Sequence, residues 1–264
     1  MRSVTILKLG GSVITDKSKE CTPDLPAIDR IIAQIARFHG PLVLLHGGGS
    51  YAHPFVTRVG LQNGYKQKSQ LRSISETELY LDQLTRIIGV ALLLRERPFV
   101  PLRPMSFVTM NMGEITHSFL DPLKRALKLG LLPLIHGDLA FDATKGCGVI
   151  SADQLASFLG IELNASRVLF GCDVDGVFSA DPKTSPGPKM IRVVTRRNFD
   201  DVLKAVARGR SSDATGGMLG KVREAVRLAR KGHESYIFNL RKEGLLKEAL
   251  RRDFKGGTRF LGWN

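Results

Sequence analysis

His46-Gly47-Gly48-Gly49-Ser50-Tyr51-Ala52-His53 follows the apolar run 41–45 and precedes a second apolar stretch that reads as helix. The pattern is strand, glycine turn, helix. Three consecutive glycines remove every Cβ from the turn, so a ligand can approach the backbone and the amides can converge on an anion at the positive end of the next helix. Two readings fit the glycines alone: a phosphate cradle, or a tight strand-to-helix turn that holds nothing. His53, four residues past the last glycine, is near enough to face the same anion.

Toward the N-terminus, Val4-Thr5-Ile6-Leu7-Lys8-Leu9 is a buried-strand pattern that ends at Gly10-Gly11-Ser12, a second glycine turn. Lys8 is the anomaly in it. An unpaired ammonium is costly to bury, so either an anion meets Lys8 or its amine snorkels to solvent from the strand end. Lys17 lies nine residues on, across the turn. Toward the C-terminus, Asp213-Ala214-Thr215-Gly216-Gly217-Met218-Leu219-Gly220-Lys221 is a third glycine cluster, opening a helix that runs to Gly232 with Lys221 in its first turns. Val222 after that lysine excludes a Walker A loop, and the first turn carries no G-x-G-x-x-G fingerprint.

Between these turns the chain alternates. Residues 23–38 have helical apolar spacing, and 73–97 read as a long helix with Ser75 and Glu78 as its capping box. Residues 61–71 are polar, carry Lys66 and Lys68, and read as a flexible loop that is a lid candidate. Hairpins are expected at 111–119 and 139–150. At Ser151-Ala152-Asp153 a helix begins with Ser151 at the cap and Asp153 in the first turn, where an acid is favourable in any helix. The strand 167–171 runs into Asp173-Val174-Asp175-Gly176-Val177-Phe178-Ser179-Ala180-Asp181-Pro182, at the kind of strand end where open α/β sheets hold ligands. Its carboxylates can accept from ribose hydroxyls or cap turns. Strands alternating with helices predict right-handed βαβ units and a mainly parallel sheet.

Composition narrows the classes. The 264 residues fit one large α/β unit or two lobes. Lys and Arg number 39 against 25 Asp and Glu, a net charge of +14, and residues 192–264 hold 18 basic against 8 acidic residues. Such a field suits nucleic acid, an anionic membrane or a small polyanion. No zinc-finger spacing or RNP-like aromatic run supports nucleic acid. Lys221, Arg223, Arg227, Arg230 and Lys231 stand at helical spacing as a solvated face, with Lys221 as its exception. Cys21, Cys147 and Cys172 are far apart and in no metal or redox spacing, so reduced thiols and a cytoplasmic location are expected. The longest apolar stretch, 87–94, is too short for a bilayer, and with no basic n-region and apolar h-region before the first strand no signal peptide is expected.

The motifs K-L-G-G-S at 8–12, I-T-D-K at 14–17, H-G-G-G-S at 46–50, the helix-opening Asp153, D-V-D-G-V-F-x-x-D-P at 173–182 and D-x-T-G-G-M-x-x-K at 213–221 together resemble the amino acid kinase superfamily over nearly the whole chain. Within it, G-G-G-S-[aromatic]-x-H-P at 47–54 is similar to the isopentenyl phosphate kinase family; fosfomycin-type kinases share that histidine. The resemblance implies an open three-layer αβα sandwich with a mainly parallel central sheet. It divides into an acceptor lobe, 1–164, and a nucleotide lobe, 165–264. It implies ATP and Mg2+, isopentenyl phosphate as the small-molecule partner, and a homodimer, with no nucleic acid, no membrane and no protein ligand set for a metal.

By the same resemblance, Lys8, Lys17 and Lys221 would meet the ATP phosphates and the moving phosphoryl group, with Asp153 holding the lysines. Gly10, Gly11, Ser12, Gly216 and Gly217 would let the backbone approach ATP, and Asp173, Asp175, Gly176 and Asp181 would lie by the nucleoside. Gly47, Gly48, Gly49, Ser50 and His53 would grip the acceptor's phosphate. A phosphate monoester is already a competent nucleophile, so His53 is a hydrogen-bond donor in this scheme and not a base. Three places depart from the pattern: Ala52 and Ala152 stand where glycine is usual, and Phe238-Asn239-Leu240 lacks the usual glycine after the penultimate strand. The rival readings are a kinase of another small phosphate or phosphonate, and a non-catalytic nucleotide or oxyanion binder on the same fold.

Overall fold

Alternation along the first strand places its side chains. In β1 (Thr5–Leu9) every residue is buried. Ile6 joins one apolar cluster, while Leu7 and Leu9 join another. Successive side chains on a strand point to opposite faces, so Lys8 shares the Ile6 face. Both faces are covered by helices, as a strand of this pattern requires.

The computed structural model describes residues 3–180, 187–208, 217–251 and 253–263. After β1 come α1 (Gly11–Ile14) and α2 (Leu25–Ala36), whose cap residue Asp24 accepts from the Ala27 amide at 3.0 Å. β2 (Leu42–His46) leads into α3 (His53–Arg58), then α4 (Gln70–Leu93), β3 (Phe99–Leu102), β4 (Val108–Asn111), β5 (Glu114–Ser118), α5 (Asp121–Lys128), β6 (Leu132–His136), β7 (Asp138–Asp142) and β8 (Gly146–Ile150). There follow α6 (Ala152–Glu162), β9 (Arg167–Cys172), β10 (Val177–Phe178), β11 (Met190–Ile191), β12 (Val193–Val194), α7 (Phe199–Arg208), α8 (Gly217–Arg230), β13 (Ser235–Asn239), α9 (Leu245–Ala249) and β14 (Thr258–Phe260).

Eight of these strands form one sheet in the order β12-β14-β13-β9-β1-β2-β6-β3, parallel throughout except where β13 meets β14. On one face Ile6, Val43, Ile135 and Phe170 pack with Leu155 and Leu159 of α6 and Val222 and Ala225 of α8. On the other, Leu7, Leu44, Leu134 and Leu169 pack with Ile31 and Ile35 of α2, Leu84 and Ile88 of α4 and Leu246 of α9. The architecture is the expected αβα sandwich, and burial of each such aliphatic side chain contributes roughly 1.5–3 kcal/mol. The parallel central strands bring their C-terminal ends to one edge, where β1, β2, β6 and β9 run into Gly10, Gly47, Gly137 and Asp173. No helix of the described residues is long and apolar enough to cross a membrane.

Two local expectations are corrected. α4 begins at Gln70, ahead of the expected capping box, and ends at Leu93, before Arg97. Ser75 lies inside the helix, its hydroxyl donating to Leu71 O at 3.5 Å. Gln70 sets the start: its Oε1 accepts from the amides of Lys66 and Gln67 at 2.6 and 3.1 Å, and its Nε2 donates to Val59 O at 2.8 Å. The same side chain ties down the segment expected to be a flexible lid, where Leu61 is also buried.

The four strands β5-β4-β7-β8 form a second small sheet organised by Asp142. Its carboxylate accepts from the backbone amides of Met112, Gly113, Thr144 and Lys145 at 3.1, 2.7, 2.9 and 2.8 Å. Burial works against the charge, but these four donors hold the carboxyl below its usual range. Asp142→Ala leaves four amides without that acceptor, so a loss of about 2–4 kcal/mol in denaturant unfolding is expected. Because the folded state holds this proton less tightly than the unfolded one, the carboxylate's contribution is present above about pH 4 and fades as pH falls below it.

Candidate active site

A cavity of about 220 Å³ opens at the C-terminal edge of the sheet, lined by Lys8, Gly10, Gly11, Ser12 and Lys17 together with Gly47, Gly48, Gly49 and His53. Asp153, Asp173, Gly217 and Lys221 complete the set of expected residues that face it. Two glycine turns, the Gly217 start of α8 and five charged side chains far apart in sequence therefore share one space.

Strand alternation turns Lys8 toward α6 and α8, and those two helices supply its partners. Asp153, in the first turn of α6, receives Lys8 Nζ on Oδ1 and Lys221 Nζ on Oδ2, both at 2.8 Å. Ser151 caps the helix by accepting from Gln154 N at 3.0 Å, which fixes where Asp153 falls. All three charged side chains are buried. Burial pushes the Asp153 carboxyl up, but Lys221 and then Lys8 outweigh it and bring the pKa down to about 2. Burial lowers Lys8 to about 8, with Asp153 opposing and Lys221 adding to the fall. For Lys221 the desolvation is outweighed by Asp153, and its pKa is raised. One carboxylate between two ammoniums leaves the trio with an excess positive charge in a low-dielectric pocket, which an incoming anion balances.

The two glycine turns touch. A Cβ on Gly11 would lie 2.5 Å from Gly49 N, and one on Gly47 would lie 2.9 Å from Gly11 N, so side chains are sterically excluded from the contact. The Gly10 and Gly47 amides are spent on the sheet, donating to Gly171 O and Leu9 O at 2.9 Å each. The amides of Gly48 and Gly49 take no part in those bonds. α3 begins at His53 itself, on the cavity wall beside the Gly47–Gly49 turn.

Other expected residues stand apart from the cavity wall. The Ser50 hydroxyl accepts from Thr22 N at 3.2 Å and the residue is buried. Asp175 is taken by Asn239 Nδ2 at 2.9 Å and Lys242 Nζ at 2.8 Å. Gly176 packs beside Thr258. Asp181 and Gly216 lie outside the described residues.

Several wall residues escaped the sequence reading. Gly137, at the end of β6, comes so near α6 that a Cβ there would lie 2.6 Å from Ala152 N. The Gly137-Asp138 pair after an apolar run was a signal for it. Val56, Leu81, Val149 and Ile150 add apolar side chains to the cavity wall, with Thr77 beside them in the lining, and no short motif marks them. Of the departures from the glycine pattern, Ala52 packs its methyl against Gly48, and Leu240 packs over Gly171. Among the described residues no group of three His, Cys, Asp or Glu is placed to hold a metal ion. Within the cavity wall, Asp153 is committed to two lysines and Asp173 is the other acid.

Residues 3–239 match the model of the amino acid kinase family. The chain is 34% identical to the isopentenyl phosphate kinase of Methanothermobacter thermautotrophicus over 97% of its own length and 98% of that protein's. It is 29% identical to the isopentenyl phosphate kinase of Methanocaldococcus jannaschii, covering 96% and 97% of the two chains. A solved isopentenyl phosphate kinase structure superposes with a TM-score of 0.85 at 32% identity, over 97% of this chain and 99% of that one.

Proposed function

The chain belongs to the amino acid kinase family, on its isopentenyl phosphate kinase branch, and from that premise we propose that it transfers the γ-phosphoryl group of ATP to isopentenyl phosphate. The observation that carries the reading is one cavity lined both by the net-positive Lys8–Asp153–Lys221 trio and by the Gly47–Gly49 turn with His53.

An oxygen of the acceptor's phosphate attacks the γ-phosphorus, the bond to the bridging oxygen of ADP breaks, and isopentenyl diphosphate and ADP leave. Little covalent chemistry falls to the protein, so rate comes from positioning and charge stabilisation. Lys8 and Lys221, oriented by Asp153, meet the charge spread over the transferring group, and Lys17 lies at the same rim. The glycine-turn amides and His53 hold the acceptor's phosphate. The apolar wall residues Val56, Leu81, Val149 and Ile150 suit a branched five-carbon tail. Thr77 adds little polarity, since its hydroxyl proton goes to Ser73 O at 2.7 Å. A nucleotide or acetylglutamate would leave polar groups unpaired against that wall.

Mg2+ fits this donor set as part of the nucleotide substrate, held chiefly by phosphate oxygens. It would neutralise charge on the β- and γ-phosphates. We assign residues 1–164 to the acceptor lobe, which also lends the Gly10–Ser12 turn and Lys8 to the ATP phosphates, and 165–264 to the nucleotide lobe, with Asp173 and Gly217 on the ATP side of the cavity, and place the enzyme in the cytoplasm as a homodimer.

The test is ADP release measured with isopentenyl phosphate, dimethylallyl phosphate, fosfomycin, UMP and acetylglutamate. Isopentenyl phosphate should give the highest kcat/KM; a preference for fosfomycin or UMP would reassign the acceptor. His53→Ala should cost about 10² in kcat/KM for isopentenyl phosphate, the scale of one lost donor to a developing oxyanion. An unchanged value would remove His53 from the acceptor site.

A further inference from the structure

We propose that Thr15 is a positioning residue whose hydroxyl sets the spacing between the two glycine turns, and so between the two phosphates that react; this rests on the kinase reading above. Thr15 lies just after α1, is buried, and is absent from the cavity wall. Its Oγ1 donates to Gly11 O at 2.8 Å, in the nucleotide-side turn, and accepts from Ser50 N at 3.1 Å, at the end of the acceptor-side turn. One hydroxyl has one proton to give, and here it is used on one turn while the lone pair is used on the other.

The surroundings make that link specific. Gly49 has φ +53, a conformation that glycine adopts freely, and a Cβ there would run into Thr15 Oγ1. Ser50 is held a second time, through Thr22 N on its hydroxyl, and Cys21 N donates to Ser50 O at 3.1 Å. The loop after Thr15 therefore holds the acceptor-side turn at Ser50, while the Thr15 hydroxyl also reaches Gly11. Lys17 follows two residues later, so the same segment carries a cation to the rim. Gly11 O retains the Thr15 amide at 3.0 Å without the hydroxyl, whereas the Ser50 amide would lose its acceptor in a contact with no room for a side chain. Phosphoryl transfer needs donor and acceptor held in line at about 3–3.5 Å, and a misplacement of about 1 Å costs on the order of 10². Each phosphate is bound by its own turn, so a change in their spacing falls on kcat and not on either KM.

The experiment compares Thr15→Val, which keeps the shape and removes the hydroxyl, with Thr15→Ser, which keeps the hydroxyl. Kinetics are read with whichever phosphate acceptor the wild-type enzyme uses, so a wrong acceptor assignment shows up in the wild type alone. Thr15→Val should lower kcat by roughly 10- to 100-fold, with both KM values within about 3-fold of wild type. Thr15→Ser should stay within about 3-fold, and amide exchange at Ser50 should quicken in the Val variant only. Wild-type kcat in Thr15→Val overturns the proposal. So does a Ser variant as slow as the Val variant, which would make the methyl packing decisive, or a rise in KM with kcat unchanged. Should Thr15→Val not fold, Thr15→Ala against Thr15→Ser makes the same comparison.

Discussion

Asp153→Asn should lower kcat/KM for ATP by about 10³ at pH 7 and destabilise the enzyme, because it removes the one negative charge that two buried ammoniums share. The substitution keeps the shape of the side chain and changes its charge. Breaking a buried ion pair by deleting one partner costs about 3–5 kcal/mol. The site escapes part of that cost by releasing a proton, and Lys8 is the lysine that yields, since burial already brings it down to about 8. Neutral Lys8 no longer meets the charge on the transferring group. The pH dependence distinguishes this from simple misfolding. In the wild type, kcat/KM for ATP should fall as pH rises through about 8, where free-enzyme Lys8 deprotonates; in Asp153→Asn the same limb should move to lower pH, so the variant gains activity relative to wild type as pH drops. A variant with a wild-type alkaline limb would show that Asp153 does not govern the charge on Lys8. The acid side follows the opposite sign. Asp153 binds its proton less tightly folded than unfolded, so roughly 2 kcal/mol of stability, present above about pH 4, is lost as pH falls toward 2.

The features legible from sequence were those encoded within a few residues. Gly10 and Gly47 directly follow β1 and β2 and Gly217 opens α8, and a lysine inside an otherwise apolar strand asks for either a counter-charge or an exit to solvent. Strand alternation then fixed which face Lys8 takes. Thr15 could not be read this way. Its function depends on two turns about 35 residues apart in sequence meeting backbone to backbone, and a threonine after a strand-turn element is otherwise unremarkable. Gly137 had its signal in the chain, but its reason is the approach of α6, an element still to come. Ser50 and Asp175 sat inside the right motifs, yet their polar atoms went to Thr22 and to Asn239 and Lys242, choices made by neighbours that the motif does not contain. α4 was displaced for a similar reason: Ser75 and Glu78 satisfy the capping-box spacing, but Gln70 folds back on the preceding loop and starts the helix earlier.

Lys221→Ala should lower kcat by about 10² or more while leaving the fold as stable as the wild type, which reverses the stability effect of Asp153→Asn at the other end of the same ion pair. The charge balance gives the reason. Removing Lys221 leaves Lys8 and Asp153 as a one-to-one buried pair and removes the repulsion that lowers Lys8. The site changes from an excess positive charge to near neutrality, so it loses attraction for phosphate without acquiring an uncompensated buried charge. Lys221 is the fifth residue of α8, close to the helix's positive end, and its ammonium adds to the field that the aligned N-terminal amides already make. A donor aimed at transition-state charge in a water-poor pocket is worth on the order of 10²–10³ in kcat. Lys221→Met controls for lost side-chain volume and should match the alanine variant in rate. Thermal unfolding run beside the kinetics decides the case: near-normal kcat removes Lys221 from the chemistry, while an inactive variant that is also several kcal/mol less stable would mean that Lys221 holds α6 and α8 together and the rate loss follows from the fold.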